Sequence, residues 1–231
     1  MSLKSLANFH DPSSLASRMR RRRFALFRDL AAELPFGARV LDIGGTPEFW
    51  REIDLVARGQ LHVTLLNIES YTSIRADIEL IQGDARDMQC FHDQAFDAVF
   101  SNSVIEHVGS FADQQRMASE VRRVAPRYFI QTPNRYFPLE PHFLIPCFQF
   151  FPRALQIRLV QRYKLGWMPR RPDYEAARRE VEQVRLMSAS EMRALFPDGE
   201  LYREKIGGLT KSLVSFGGWR ERDVDAPGSD A

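Results

Sequence analysis

The stretch "VLDIGGTPEFW", residues 40–50, constrains the chain more than any other. An aliphatic run ends in a glycine pair, and a threonine–proline pair follows. Thr46 can serve as a helix N-cap and Pro47 as the first helical residue, where its missing N–H costs nothing. A strand, a tight turn and a helix in succession form the repeating unit of a wound parallel sheet. The alternation continues: "LHVTLLNIE", "ELIQGDA", residues 96–101 and "RYFIQTPN" read as strands, and 47–58 and 111–124 as helices. Strands that are nearly continuous in apolar residues, with helices between them, imply a sheet covered on both faces. Few residues separate the second and third strands, so a loop or single turn is expected there instead of a helical crossover.

The flanks complete the pattern. Residues 14–34 read as a helix capped by Ser13 or Ser14. Leu15, Met19, Leu26, Leu30 and Leu34 fall near one face, and the run "RMRRRRF" interrupts them. Residues 138–185 are aromatic, proline-rich and basic, and read as an insertion on the rim of the sheet. Within it Phe151, Leu155, Leu159 and Tyr163 recur at i, i+4, with Arg158 and Arg162 on another face. A helix over "SASEMRALF" precedes two strands joined through Gly207-Gly208, a hairpin signal. The expected fold is α/β: a doubly wound, mostly parallel seven-stranded sheet with an antiparallel C-terminal hairpin strand and a helical cap insertion. One domain spans 1–231. It divides into a basic N-terminal lid helix (1–36), a ligand-binding core (37–137), a substrate-side cap (138–185), the last helix and hairpin (186–219) and a disordered tail (220–231).

Composition excludes several classes. The two cysteines, Cys90 and Cys147, form no C-x-x-C, which argues against a thiolate zinc site and for a reducing, cytoplasmic setting. The N-terminus lacks the apolar core of a secretion signal, and "PHFLIPCFQFFP" is too short and proline-broken to span a bilayer. Net charge is only +2, yet Lys and Arg concentrate in 1–28 and 151–179. These segments are expected to be solvated helix faces or to meet an anionic substrate or membrane surface. No nucleic-acid module accompanies the arginine run, so nucleic acid is not favoured as a partner.

Ligands of open parallel sheets bind at the carboxyl ends of the strands. Asp42, Gly44, Gly45 and Thr46 stand there after the first strand, Asn67 and Glu69 after the second, and Gly83, Asp84 and Ala85 after the third. Ser101 and Asn102 end the fourth, with Glu106 and His107 beyond. Thr132 and Asn134 end the fifth, with Glu140 and His142 following. A pyrophosphate site calls for more glycine and often a cation. This acidic rim suits a ligand with hydroxyls, amines and positive charge, and S-adenosylmethionine has all of these.

Four motifs in order, "VLDIGG", "NIE", "QGDA" and "FDAVFSNSVIEHV", resemble those of the class I, seven-stranded S-adenosylmethionine-dependent methyltransferases. "TPN…EPH" resembles a subgroup acting on small molecules, lipids and sugars. The resemblance implies that Gly44, Gly45 and the Thr46 backbone approach the methionine part of the cofactor, with Asp42 near its amino group. Glu69 would bind the ribose hydroxyls, with Asn67 as an alternative. Asp84 would take the adenine amino group, the Ala85 backbone would meet the ring, and the Ser101 and Asn102 backbone would hold the α-amino group. The family often reads D-x-G-x-G-x-G. Here Thr46 and Glu48 replace the later glycines, and Thr46 narrows the backbone conformations open to the loop.

The expected reaction moves a methyl group onto an oxygen, less readily a nitrogen or carbon, of a small-molecule, lipid-linked or sugar acceptor. His107, His142 and Glu106 are the candidate catalytic groups, since an imidazole titrates in the range suited to taking a hydroxyl proton. Against this, Glu106 and His107 would merely cap a helix, and positioning alone can drive transfer from a sulfonium. Glu106, His107, Glu140 and His142 would bind a metal only if two loops converge, and no metal is assigned. Two alternatives stand beside this reading: a non-catalytic S-adenosylmethionine-binding or regulatory protein, and a nicotinamide-dependent oxidoreductase.

Overall fold

A computed structural model describes residues 14–51, 54–69 and 78–219. The tail expected to be disordered and the link between the second and third strands lie outside them. Seven strands form one sheet: β1 (Ala38–Ile43), β2 (Leu61–Asn67), β3 (Ile78–Gln82), β4 (Ala98–Asn102), β5 (Tyr128–Pro133), β6 (Glu200–Ile206) and β7 (Leu209–Gly217), in the order β3-β2-β1-β4-β5-β7-β6. The pairs β3–β2, β2–β1, β1–β4 and β4–β5 are parallel, and β7 runs antiparallel to both its neighbours. Gly207 and Gly208 make the β6–β7 turn at φ +54° and +83°. The chain reverses between β1 and β4 at the centre of the sheet, which opens a crevice at their carboxyl ends.

Helices cover both faces. α1 (Leu15–Ala31), α2 (Pro47–Arg51) and α3 (Asp54–Ala57) belong to one side; α4 (Phe111–Val124), α5 (Arg153–Arg162), α6 (Tyr174–Glu182) and α7 (Ala189–Leu195) follow along the chain. The helix expected over 47–58 is therefore present as α2 and α3. Ser14 caps α1 by accepting from Ser17 N, and Ser110 with Asp113, and Ser188 with Glu191, form capping boxes on α4 and α7. One face of the sheet packs Met117, Val121 and Val124 of α4 with Met192 and Leu195 of α7. The other is aromatic. Phe27 lies 4.5 Å from Phe100, and Phe100 stacks on Phe49 at 5.5 Å and on Phe129 at 5.6 Å, with Trp50 edge-on at 5.8 Å.

Two expected stripes are corrected. In α1 the inward face is Met19, Arg23, Phe27 and Leu30, with Leu26 only partly buried; the helix ends at Ala31, short of the expected 34, and the buried Leu34 follows it. One arginine of the basic run is therefore a member of the buried face. Its guanidinium donates from Nη1 to Asn102 Oδ1 (2.5 Å) and from Nη2 to Glu204 Oε2 (2.9 Å). In α5 the buried residues are Gln156, Ile157 and Val160, packed with Ala177 and Val181 of α6, whereas Leu155 and Tyr163 are exposed. The helix starts only after Pro152; Phe151 and Leu159 of the stripe pack partly buried against this cluster, and Leu155 and Tyr163 do not.

The turn after β1 rests on a buried carboxyl. Asp42 is 1 % exposed, and its Oδ2 accepts from Trp50 Nε1 at 2.7 Å. Burial raises its pKa from 3.8 to about 8, and the indole hydrogen bond only partly offsets this.

Arg23 and Glu204 are nearly water-free, so removing one partner strands the other's charge. Arg23→Ala is expected to lose about 3–5 kcal/mol in urea unfolding, and Arg23→Met with Glu204→Leu to recover most of it. Asp42 gives a pH signature. The folded protein keeps this proton up to about pH 8, whereas an unfolded carboxyl releases it near 3.8. The folded state therefore holds the extra proton between those values, and the contribution of Asp42 to stability falls as pH rises through that window. Asp42→Asn, which mimics the protonated group, is expected to gain on the wild type by up to about 1.4 kcal/mol per pH unit. Parallel stability curves for the two proteins from pH 5 to 8 would refute this.

Candidate active site at the carboxyl rim

The first loop is built around two glycines. Gly44 sits at φ +76°, and a Cβ there would lie 2.4 Å from Val104 Cγ2. Gly45 has no room either, because a Cβ would lie 1.7 Å from Asp42 Oδ2. The Gly44 amide donates to Leu66 O (2.9 Å), and Asn67 Nδ2 donates to Gly45 O (3.0 Å). The loop is thus held from β2 on one side and from beneath by Asp42. Thr46 is exposed and is absent from the non-glycine residues with positive φ, so its side chain imposes no strained backbone here.

The other rim residues fall as follows. Glu69 is exposed just beyond β2, and no ion pair engages it among the described residues. Asn67 props the loop instead of projecting freely. Asp84 beyond β3 is grasped by Arg86, whose Nε and Nη2 donate to Oδ2 at 2.9 and 2.5 Å; this hydrogen bonding lowers its pKa. Ala85 is buried at 7 % exposure. Ser101 is fully buried, with its Oγ donating to Ile43 O at 3.3 Å. Asn102 offers its side-chain oxygen to Arg23. The resemblance put Asp42 beside an ammonium; the structure puts its carboxyl under the turn, in contact with Trp50.

Beyond β4 the chain turns through Ser103 at φ +59° into a short 3-10 helix, Ile105–His107. Glu106 is fully buried; its Oε2 accepts from Thr132 Oγ1 at 2.9 Å and its Oε1 has no hydrogen-bond partner. Burial raises its pKa from 4.5 to about 7, against the opposing charge of His142. The loop after β5 brings His142 to this place, its ring 4.9 Å from that of His107 and edge-on. His142 Nδ1 pairs with Glu140 Oε1 at 2.7 Å, and Glu140 Oε2 accepts from the amides of His142 (2.8 Å) and Phe143 (2.6 Å). Burial disfavours the charged form of His142, but Glu140 and Glu106 outweigh it and raise the pKa. His107 keeps one side open to solvent; the protein packed over the rest of its ring, and the charge of His142, lower its pKa. All three sequence-derived catalytic candidates therefore meet.

A cavity of about 480 Å³ opens beside this cluster, between the rim and the cap. Glu140 borders both, and Phe143, Phe148, Phe151, Arg135, Arg153 and Arg185 line the cavity. Arg185 also donates its amide to Glu106 O at 2.7 Å. Arg158 and Arg162, the cap arginines singled out by their helical face, are exposed and lie outside it. Sequence reasoning missed Arg23, Trp50 and Arg86. The D-x-R spacing of Asp84 and Arg86 was a local signal for the last. Arg23 and Trp50 carried none, because their partners lie on other elements.

Residues 39–127 match the family described as "Methyltransferase domain". Two uncharacterised proteins of Mycobacterium tuberculosis, from strains CDC 1551 and H37Rv, are 32% identical over 158 residues, which is 64% of this chain and 52% of theirs. The chain thus spans about half the length of the curated relatives it matches. Among solved structures, an S-adenosylmethionine-dependent methyltransferase of Methanosarcina mazei shares the fold at a TM-score of 0.52 and 14% identity, covering 81% of this chain and 95% of that one. A phosphoethanolamine N-methyltransferase of Haemonchus contortus, solved with phosphomonomethylethanolamine and S-adenosylhomocysteine, does so at 0.51 and 14%, covering 79% of this chain and 38% of that one. No helix among the described residues is long and apolar enough to cross a membrane. Residues 39–127 thus resemble the methyltransferase-domain family, and the seven-stranded sheet carries the fold of these solved methyltransferases.

Proposed function

We propose that the protein transfers a methyl group from S-adenosylmethionine to an oxygen, less readily a nitrogen or carbon, of a small-molecule acceptor held under the cap. The observation that carries this reading is the cavity that shares Glu140 with the Glu106–His107–His142 cluster on the carboxyl rim.

The donor set fits the cofactor. Gly44 and Gly45 leave the turn without side chains, Glu69 brings a carboxylate suited to a ribose diol, and Asp84 and the Ala85 backbone stand at the β3 end for the adenine. Ser101 and Asn102 would close the site at the methionine end. When bound, the cofactor supplies an activated methyl on a sulfonium, displaced in line by the acceptor. The chain's own residues do the rest. Three phenylalanines exclude water from an apolar body, and Arg135 and Arg153 face an anionic end, which favours a lipid-linked or sugar phosphate acceptor over a neutral one. Glu106, His107 and His142 receive the reacting hydroxyl. Thr46, free of positive φ, removes the main reason to read the protein as a non-catalytic relic. The acidic rim and the antiparallel β7 argue against a nicotinamide site.

S-adenosylhomocysteine is expected to raise the melting temperature and NAD to leave it unchanged; the reverse would overturn the reading. Glu69→Gln is expected to weaken S-adenosylhomocysteine binding about 10–100-fold by calorimetry, the worth of hydrogen bonds to a charged group. With labelled methyl donor and a fractionated lipid and sugar-phosphate extract, Arg135→Glu with Arg153→Glu is expected to raise KM for the labelled acceptor while S-adenosylhomocysteine affinity stays constant.

A further inference from the structure

We infer that Glu106, His107 and His142 form a binding site for a first-row divalent metal ion of the zinc type. Each offers a ligand atom, and the three atoms lie within 4.8 Å of one another. A tetrahedral ion with bonds of about 2.0–2.2 Å sets its donors about 3.4 Å apart, so the three close by up to about 1.4 Å on binding. Two imidazoles and one carboxylate are a donor set for zinc and its neighbours, and not for magnesium or calcium, which take oxygen.

Two further observations point to a ligand. Glu106 is fully buried, yet its Oε1 has no hydrogen-bond partner, a costly arrangement that a cation relieves. His142 carries the outer support of a metal-binding histidine. Its Nδ1 is held by Glu140 Oε1 at 2.7 Å, which leaves Nε2 as the outward nitrogen. Glu140 is itself 2 % exposed and anchored by two backbone amides, so the imidazole is aimed by a fixed carboxylate and not by a mobile surface group. Three protein ligands leave a position open, as in reactive metal sites rather than closed structural ones. Glu140 also borders the cavity, so a bound acceptor would lie one side chain away from the ion. Only this last point rests on the methyltransferase reading; the ion site itself does not.

The test is metal binding by the chelator-stripped full chain, in a Cys90→Ser, Cys147→Ser background because both exposed thiols take up the same ions. Titration with Co2+ is expected to give one equivalent and a visible ligand-field band, and Zn2+ to displace it and raise the melting temperature. His142→Ala and His107→Gln are each expected to abolish the band, and Glu140→Gln to weaken affinity about 10–100-fold. His107→Gln changes a solvent-facing ring, so it keeps the test valid if a buried variant misfolds. Absence of the band in the parent protein, or an unchanged band in His107→Gln, would overturn the proposal. S-adenosylhomocysteine binding, measured on the same samples, reports separately on the methyltransferase reading.

Discussion

A carboxyl group buried beneath a glycine turn organises the first loop of the carboxyl rim. Asp42 sits in an interior strand of the sheet, paired in register with Leu65 of β2 and Phe100 of β4. Its hydrogen bond to Trp50 ties the start of α2 back to the strand that precedes it. Its oxygen also fills the space a side chain at residue 45 would need. The residue therefore must be glycine for the sake of its neighbour. Val104, reaching over from β4, does the same for Gly44. The turn is thus fixed by contacts from three strands, and the ligand meets backbone already set in place. Such pre-organisation lowers the entropy that binding must overcome.

The opposite end of the rim follows a different logic. There titratable side chains crowd together: burial pushes Glu106 up and His107 down, while Glu140 and Glu106 hold His142 up against its own burial. Glu140 is satisfied three times over, while Glu106 lacks a partner on one oxygen. Both lie within a few ångströms of His142. An asymmetry of this kind is typical of functional sites, where fold stability is exchanged for reactivity.

Local sequence was a good guide where structure is made locally. The capping residues and apolar period of α4 give residues 111–124 directly, and the glycine pair gives the β6–β7 turn. The mostly parallel sheet with an antiparallel strand follows from alternation with a terminal hairpin. The sequence misled where an outcome depended on distant partners. Arg23 reads as one of several solvated arginines, yet Glu204 and Asn102, far along the chain, draw it inward. Of the stripe Phe151, Leu155, Leu159 and Tyr163, only Phe151 and Leu159 reach the cluster that α5 makes with α6. Glu106 and His107 are 36 and 35 residues from His142, and only the adjacency of β4 and β5, with the folded cap above, makes them neighbours. Residue types were legible and their meeting was not.

The Arg23–Asn102 hydrogen bond joins two parts of the molecule that the sequence keeps apart. Asn102 stands at the end of β4, where a ligand in the crevice would lie, and Arg23 is carried by the N-terminal helix. Any ligand that draws Asn102 toward itself loosens the hold on α1, and any ligand that leaves the bond intact is sealed in more firmly by it. Linkage is reciprocal, so whatever displaces Arg23 would also change the setting of Asn102. The N-terminal helix is thus tied to the rim by a hydrogen bond and not by apolar packing alone.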